Sequence, residues 1–181
     1  MASTTLLSFA DFERLDGGAD QLELLKGELT RMPPPQNEHM NLCERLYEEF
    51  KAALEALCRA NPALRYGKVH IERGYRLLTE PPSWLRPDVS LTHPDQPGDK
   101  YYLGAPLIAF EVVSEFDTAP DLNAKIAEYL ANGAAEVWLL YPKSRDAWVY
   151  VPSGTARQET RAIHTPLLPG LEIPLEKVFA A

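Results

Sequence analysis

The segment Leu107-Ile108-Ala109-Phe110-Glu111-Val112-Val113-Ser114 constrains this fold most. It is apolar on both alternating faces, as in a strand covered on both sides. A Pro-opened helix is predicted at 120–132, and a second apolar strand, AEVWLLY, at 135–141. The connection suits a right-handed crossover between parallel strands. The chain therefore calls for a layered sheet flanked by helices. One acid, Glu111, lies inside the first strand and shares a face with Leu107, Ala109 and Val113. An ionised carboxylate there is costly unless it is paired or bound to a cation. The alternatives are an acid at the strand's open end, wet or bridged to a lysine, or a neutral acid.

The rest of the chain supplies the layers. Cys43, Leu46, Tyr47, Phe50, Leu54 and Leu57 recur at three- and four-residue steps and predict a helix over 37–60, ended by Asn61-Pro62. A short helix is predicted at 8–16, with Ser8 as its cap and Gly17-Gly18 as its stop. LELLK (22–26) and ELTRM (28–32) read as strands around Gly27, and Pro33-Pro34-Pro35 breaks the chain. YGKVHIER (66–73) and YRLL (75–78) read as strands around Gly74. Pro81-Pro82 opens a loop, PDVSL (87–91) is a short strand, and 93–100 is a polar loop. AWVYV (147–151) pairs back on AEVWLLY over KSRD. This is an α+β chain with a partly parallel core, and its 181 residues read as one domain, 1–181.

No stretch approaches the 18 apolar residues of a membrane span, and the N-terminus lacks the pattern of a signal peptide. The two cysteines, Cys43 and Cys58, stand about 22 Å apart on one helix and cannot pair. A reducing cytoplasm is the expected compartment.

Three features carry chemistry. Asp88 opens the strand PDVSL, and Glu111 follows 23 residues later on another strand. Two carboxylates from adjacent strands are the smallest site for Mg²⁺, a hard cation that takes oxygen ligands. Turn chemistry is the alternative for Asp88. Asp121 and Lys125 stand one helical turn apart after Glu111's strand. They form either a surface pair or a site in which Lys125 reaches along the helix–sheet seam toward Glu111. His39 and Cys43, also one turn apart, invite a Cys–His nucleophile, but Cys43 lies on the apolar stripe, where a buried thiol is the ordinary case. The remaining histidines show no zinc spacing, and no phosphate-binding loop or nucleophile elbow occurs.

PDVSL, LIAFEVVS, Asp121-x-x-x-Lys125-x-x-x-Tyr129 and GAAEVWLLYP together resemble the bacterial putative restriction endonucleases of the PD-(D/E)XK nuclease superfamily. LLKGELTRMPPPQNEHMNL resembles that family's N-terminal hairpin and helix start, and LLPGLEIPLEKVF its C-terminal segment, so the likeness spans roughly 8–179. It implies a restriction-endonuclease-like core and Mg²⁺-dependent (or Mn²⁺-dependent) cleavage of DNA. By position, Asp88 and Glu111 would hold the metal, with Glu28 as an auxiliary acid. The superfamily's lysine two residues after the second acid is absent, since Val113 stands there. Lys125 would replace it, with Asp121 and Tyr129 in support.

Charge bears on that reading. Acids outnumber bases 26 to 18, giving −8, which excludes a generally basic nucleic-acid coat. The stretch from Arg65 to Arg86 is locally basic, with Arg65, Lys68, Arg73, Arg76 and Arg86 against Glu72 and Glu80. It is either a phosphate-contacting face or a solvated hairpin. Binding to DNA should be weak or strongly salt-dependent. Cutting both strands needs two sites, so a homodimer is expected, with AWVYV and TPLLPGL as apolar segments free to pair. A different class keeps the same fold, a non-catalytic dimeric binding protein. Convergence of Asp88, Glu111 and Lys125 separates the two.

Overall fold

The structure is a computed structural model and describes residues 6–15, 22–32, 34 and 36–180. The expected stop at Gly17-Gly18 and two prolines of the 33–35 run lie outside these residues. Helix α1 spans Phe9–Leu15. The hairpin strands β1, Leu22–Leu25, and β2, Glu28–Arg31, follow. Their turn has positive φ at both central residues, 51° at Lys26 and 79° at Gly27, as a two-residue hairpin requires. Helix α2 spans Asn37–Ala60, the expected bounds.

Four three-residue strands come next: β3 (Val69–Ile71), β4 (Tyr75–Leu77), β5 (Ser83–Leu85) and β6 (Val89–Leu91). Strand β7 is Tyr102–Leu103, β8 is Ile108–Val112, and helix α3 is Ala119–Ala131, capped by Thr118. Strands β9 (Glu136–Tyr141), β10 (Asp146–Tyr150) and β11 (Ala156–Glu159) form a meander. The chain closes with β12 (Ala162–His164), β13 (Glu172–Pro174) and the short helix α4 (Leu175–Val178).

The main sheet has the order β11-β10-β9-β8-β6-β3, and β8 and β9 are parallel around α3, the expected crossover. A second sheet runs β2-β1-β5-β4-β7. The pleat of β8 sorts its side chains between two cores. Phe110 and Val112 join Leu46, Phe50 and Leu54 of α2 on one face. Ala109 joins Ile126 and Tyr129 of α3, with Tyr75 and Leu85 of the second sheet, on the other. At about 25 cal/mol per Å² of apolar surface, each large side chain so buried contributes roughly 1.5–3 kcal/mol before entropy is counted. Among the described residues no helix is long and apolar enough to cross a membrane.

Three expectations need correction. The strands around Gly74 are not a hairpin, because β3 joins the main sheet and β4 the second. Gly74 is needed for close packing, since a Cβ there would meet the Trp84 ring at 2.3 Å. The stretch after Pro81-Pro82 is not only loop; Ser83–Leu85 is a strand between β1 and β4. AWVYV is not free to pair across subunits, because β10 lies between β9 and β11. In TPLLPGL, Leu168 and Leu171 are spent in the α2-side core.

Candidate active site

Asp88 immediately precedes β6, whose antiparallel register with β8 pairs Val89 with Phe110. One further step along that ladder sets Asp88 opposite Glu111. Asp88 is held at both oxygens. Oδ2 accepts a 2.6 Å bond from the Val112 N–H, and Oδ1 lies 3.1 Å from His39 Nε2. The hydrogen bond to Asp88 raises the His39 pKa above the usual imidazole value, and burial opposes it.

Glu111 is buried on the α3 side of β8. Tyr129 Oη donates to its Oε1 at 2.9 Å, and Lys125 Nζ lies 3.8 Å from its Oε2. Burial pushes the Glu111 pKa up to about 8 despite the pull of Lys125, and the negative charges of Asp88 and Glu23 add to the rise. Burial works to lower the Lys125 ammonium, but Glu111 and Glu23 outweigh it and hold the group above the usual lysine range.

Glu23 completes the set. It is 2% exposed on β1, and its Oε1 accepts from the Arg86 N–H at 3.0 Å. Its Oε2 lies 2.7 Å from Lys125 Nζ, yet among the described residues no donor meets that oxygen at a hydrogen-bonding angle. The contact is therefore an ion pair that leaves a lone pair uncommitted. Glu23, His39, Asp88, Glu111 and Lys125 line one cleft of about 840 Å³, between the hairpin, the start of α2 and the loop after β8. The lining carries eight carboxylates against four Lys and Arg side chains. Three buried or half-buried carboxylates around one ammonium, with an unsatisfied oxygen among them, form an oxygen-rich donor set that fits Mg²⁺ or Mn²⁺.

Asp88, Glu111, Lys125 and Tyr129 thus come together as expected from the sequence. Glu28 does not. It is exposed beside the β1–β2 turn and lies outside the cleft, and Glu23, buried on the inner strand of the same hairpin, stands near Lys125 instead. The signal was legible, since Glu23 lies between Leu22 and Leu24 as Glu111 lies between Phe110 and Val112. Asp121 lines the cleft but accepts from Thr118 Oγ1 at 2.6 Å, while Lys125 turns to Glu23 and Glu111. Of the five basic residues proposed for DNA, only Arg86 lines the cleft. Arg65 pairs with Asp95 at 2.9 Å, and Arg76 stacks over the Phe9 ring at 4.1 Å. Lys68 and Arg73 are exposed beside β3. Cys43 is fully buried, and burial pushes its thiol far up, so the Cys–His nucleophile has no support.

No curated protein matches this chain. Among solved structures it is similar to a protein from Anabaena variabilis ATCC 29413 described as a putative nuclease belonging to DUF820, with TM-score 0.78 and 17% identity. That match covers 96% of this chain and 98% of the other, and at such identity it speaks for the fold. The model of the Uma2 family, described as "Putative restriction endonuclease", matches residues 9–178. With nearly its whole length matched and a restriction-endonuclease-like fold around the cleft, the chain belongs to the Uma2 family.

Proposed function

We propose that this chain is a divalent-metal-dependent endonuclease that hydrolyses DNA phosphodiesters. The observation that carries the reading is the meeting of Asp88, Glu111, Glu23 and Lys125 in one cleft. Asp88, Glu111 and Glu23 would hold Mg²⁺ or Mn²⁺. When bound, the ion supplies Lewis-acid charge to the phosphate and makes water acidic enough to attack near neutral pH.

The chain's own groups do the rest. Lys125 offers fixed positive charge where the phosphate gains negative charge, and such a preorganised contact is worth about 10²–10³ in rate. Tyr129 fixes the Glu111 carboxylate through Oε1, leaving Oε2 toward Lys125. His39 and the Val112 N–H orient Asp88. The acidic lining repels a bare DNA backbone, so cation binding must precede or accompany substrate. The convergence of these acids on Lys125 favours hydrolysis over a non-catalytic binding protein of the same fold.

The test is cleavage of supercoiled plasmid and of labelled single- and double-stranded oligonucleotides with Mg²⁺ or Mn²⁺. Cleavage that Asp88→Asn and Glu111→Gln each reduce at least about 100-fold supports the reading. A folded wild type that cuts none of these with either ion overturns it. Thermal unfolding gives a second readout. A native-state ligand stabilises by about 2.7 kcal/mol at 100 times its Kd, and the double variant should lose that rise.

A further inference from the structure

Cys43 has no part in the proposed hydrolysis, yet it stands beside two residues that do. His39 and Cys43 stand one turn apart on α2, on the side facing Asp88. One ligand atom from each of His39, Cys43 and Asp88 lies within 4.8 Å of the others. A tetrahedral zinc ion with bonds of about 2.0–2.3 Å holds its ligands about 3.3–3.8 Å apart, so a contraction of about 1 Å closes the set. His39 Nε2 and Asp88 Oδ1 already share a proton at 3.1 Å, and a cation can take that proton's place. His39 lines the cleft and is partly exposed, which gives an ion a route inward to the buried sulfur.

We propose that His39, Cys43 and Asp88 form a second cation site, selective for Zn²⁺, beside the hydrolytic one. The donor chemistry decides the ion. A thiolate and an imidazole suit zinc, whereas Mg²⁺ takes oxygen ligands. Binding releases the Cys43 thiol proton to solvent and forms the zinc–sulfur bond, while the proton between His39 Nε2 and Asp88 passes to Nδ1 of a neutral ring or leaves an imidazolium for solvent, with no change of oxidation state. Asp88 belongs to both sites, so zinc competes with Mg²⁺ for it. Only this inhibitory consequence rests on the nuclease reading; the coordination does not.

The test uses the full chain under a phosphine reductant, titrated with Co²⁺ as a spectroscopic stand-in for zinc. The expected result is a thiolate-to-cobalt charge-transfer band in the near ultraviolet, saturating at one ion per chain and displaced by Zn²⁺. Cys58→Ser should keep the band, Cys43→Ala should lose it, and His39→Gln should weaken affinity at least about 10-fold. Cys43→Ser serves if the alanine variant loses its native circular dichroism. No band in the wild type, or an undiminished band in folded Cys43→Ala or Cys43→Ser, overturns the site. In the cleavage assay, Zn²⁺ should suppress the Mg²⁺-dependent wild type and spare Cys43→Ala. Equal suppression of both would overturn the competition. If the wild type cleaves no DNA, the cobalt band still decides the site.

Discussion

Replacing Glu111 with glutamine should stabilise the metal-free protein, and the gain should grow with pH. In the folded chain burial lifts the Glu111 pKa from its ordinary 4.5 to about 8. Between those values the folded state holds a proton that the unfolded state has released. A carboxyl raised in this way contributes most stability below pH 4.5, loses it as pH climbs, and has lost it all above 8. Each pKa unit is worth 1.36 kcal/mol, so the full penalty at pH 8.5 approaches about 5 kcal/mol. Water entering the cleft and movement of Lys125 return part of it. The glutamine oxygen can still accept from Tyr129, and Lys125 keeps Glu23. We expect Glu111→Gln to gain about 2–3 kcal/mol at pH 8.5 and about 1 kcal/mol at pH 5.5. Urea unfolding with a chelator present measures both, and an unchanged slope against urea keeps the comparison two-state. A gain of equal size at both pH values, or a wild type that is more stable at pH 8.5, would refute the argument that burial strains this acid.

Lys125→Met should leave Glu23 and Glu111 buried without their cation, costing about 3–5 kcal/mol near pH 8 by urea unfolding and less at pH 5.5. The same change should lower cleavage at least about 100-fold, whereas Lys177→Ala, which breaks only an exposed pair with Glu49, should cleave as wild type. Glu28→Ala should alter stability by no more than about 0.5 kcal/mol and keep the Mg²⁺ thermal shift, while Glu23→Gln should reduce that shift. At micromolar concentration light scattering should give the mass of two chains, and the mass of one would count against paired cutting of a duplex.

Long periodic segments were legible. The α2 stripe from Cys43 to Leu57 runs through about four turns, and Asn61-Pro62 ends the helix, so its bounds follow from spacing and this stop. Glu111 was legible because an acid inside an apolar strand has few explanations. What escaped has physical reasons too. A three-residue strand such as Ser83–Leu85 is too short to show a period of two, and Pro81-Pro82 masks its start. Which sheet β3 and β4 join depends on contacts far away, with Leu91 and with Leu85. Glu28 drew attention through the family likeness, but it stands on the exposed edge strand beside the turn, two pairs along the ladder from the buried Glu23 and on the same face. The basic run from Arg65 to Arg86 looked continuous along the chain, yet it crosses between two sheets and scatters.

The two-sidedness of β8 acts like a reading frame. Phe110 packs on Phe50, with ring centroids 5.1 Å apart, while its neighbour Glu111 serves the cleft. Losing or gaining one residue upstream in this strand would exchange the two, driving a carboxylate into the α2 core and a phenyl ring onto the acids. One lesion would therefore break folding and chemistry together. Descendants of this chain are free to change length in the exposed turn at 152–155, but between Ile108 and Val112 they can only substitute.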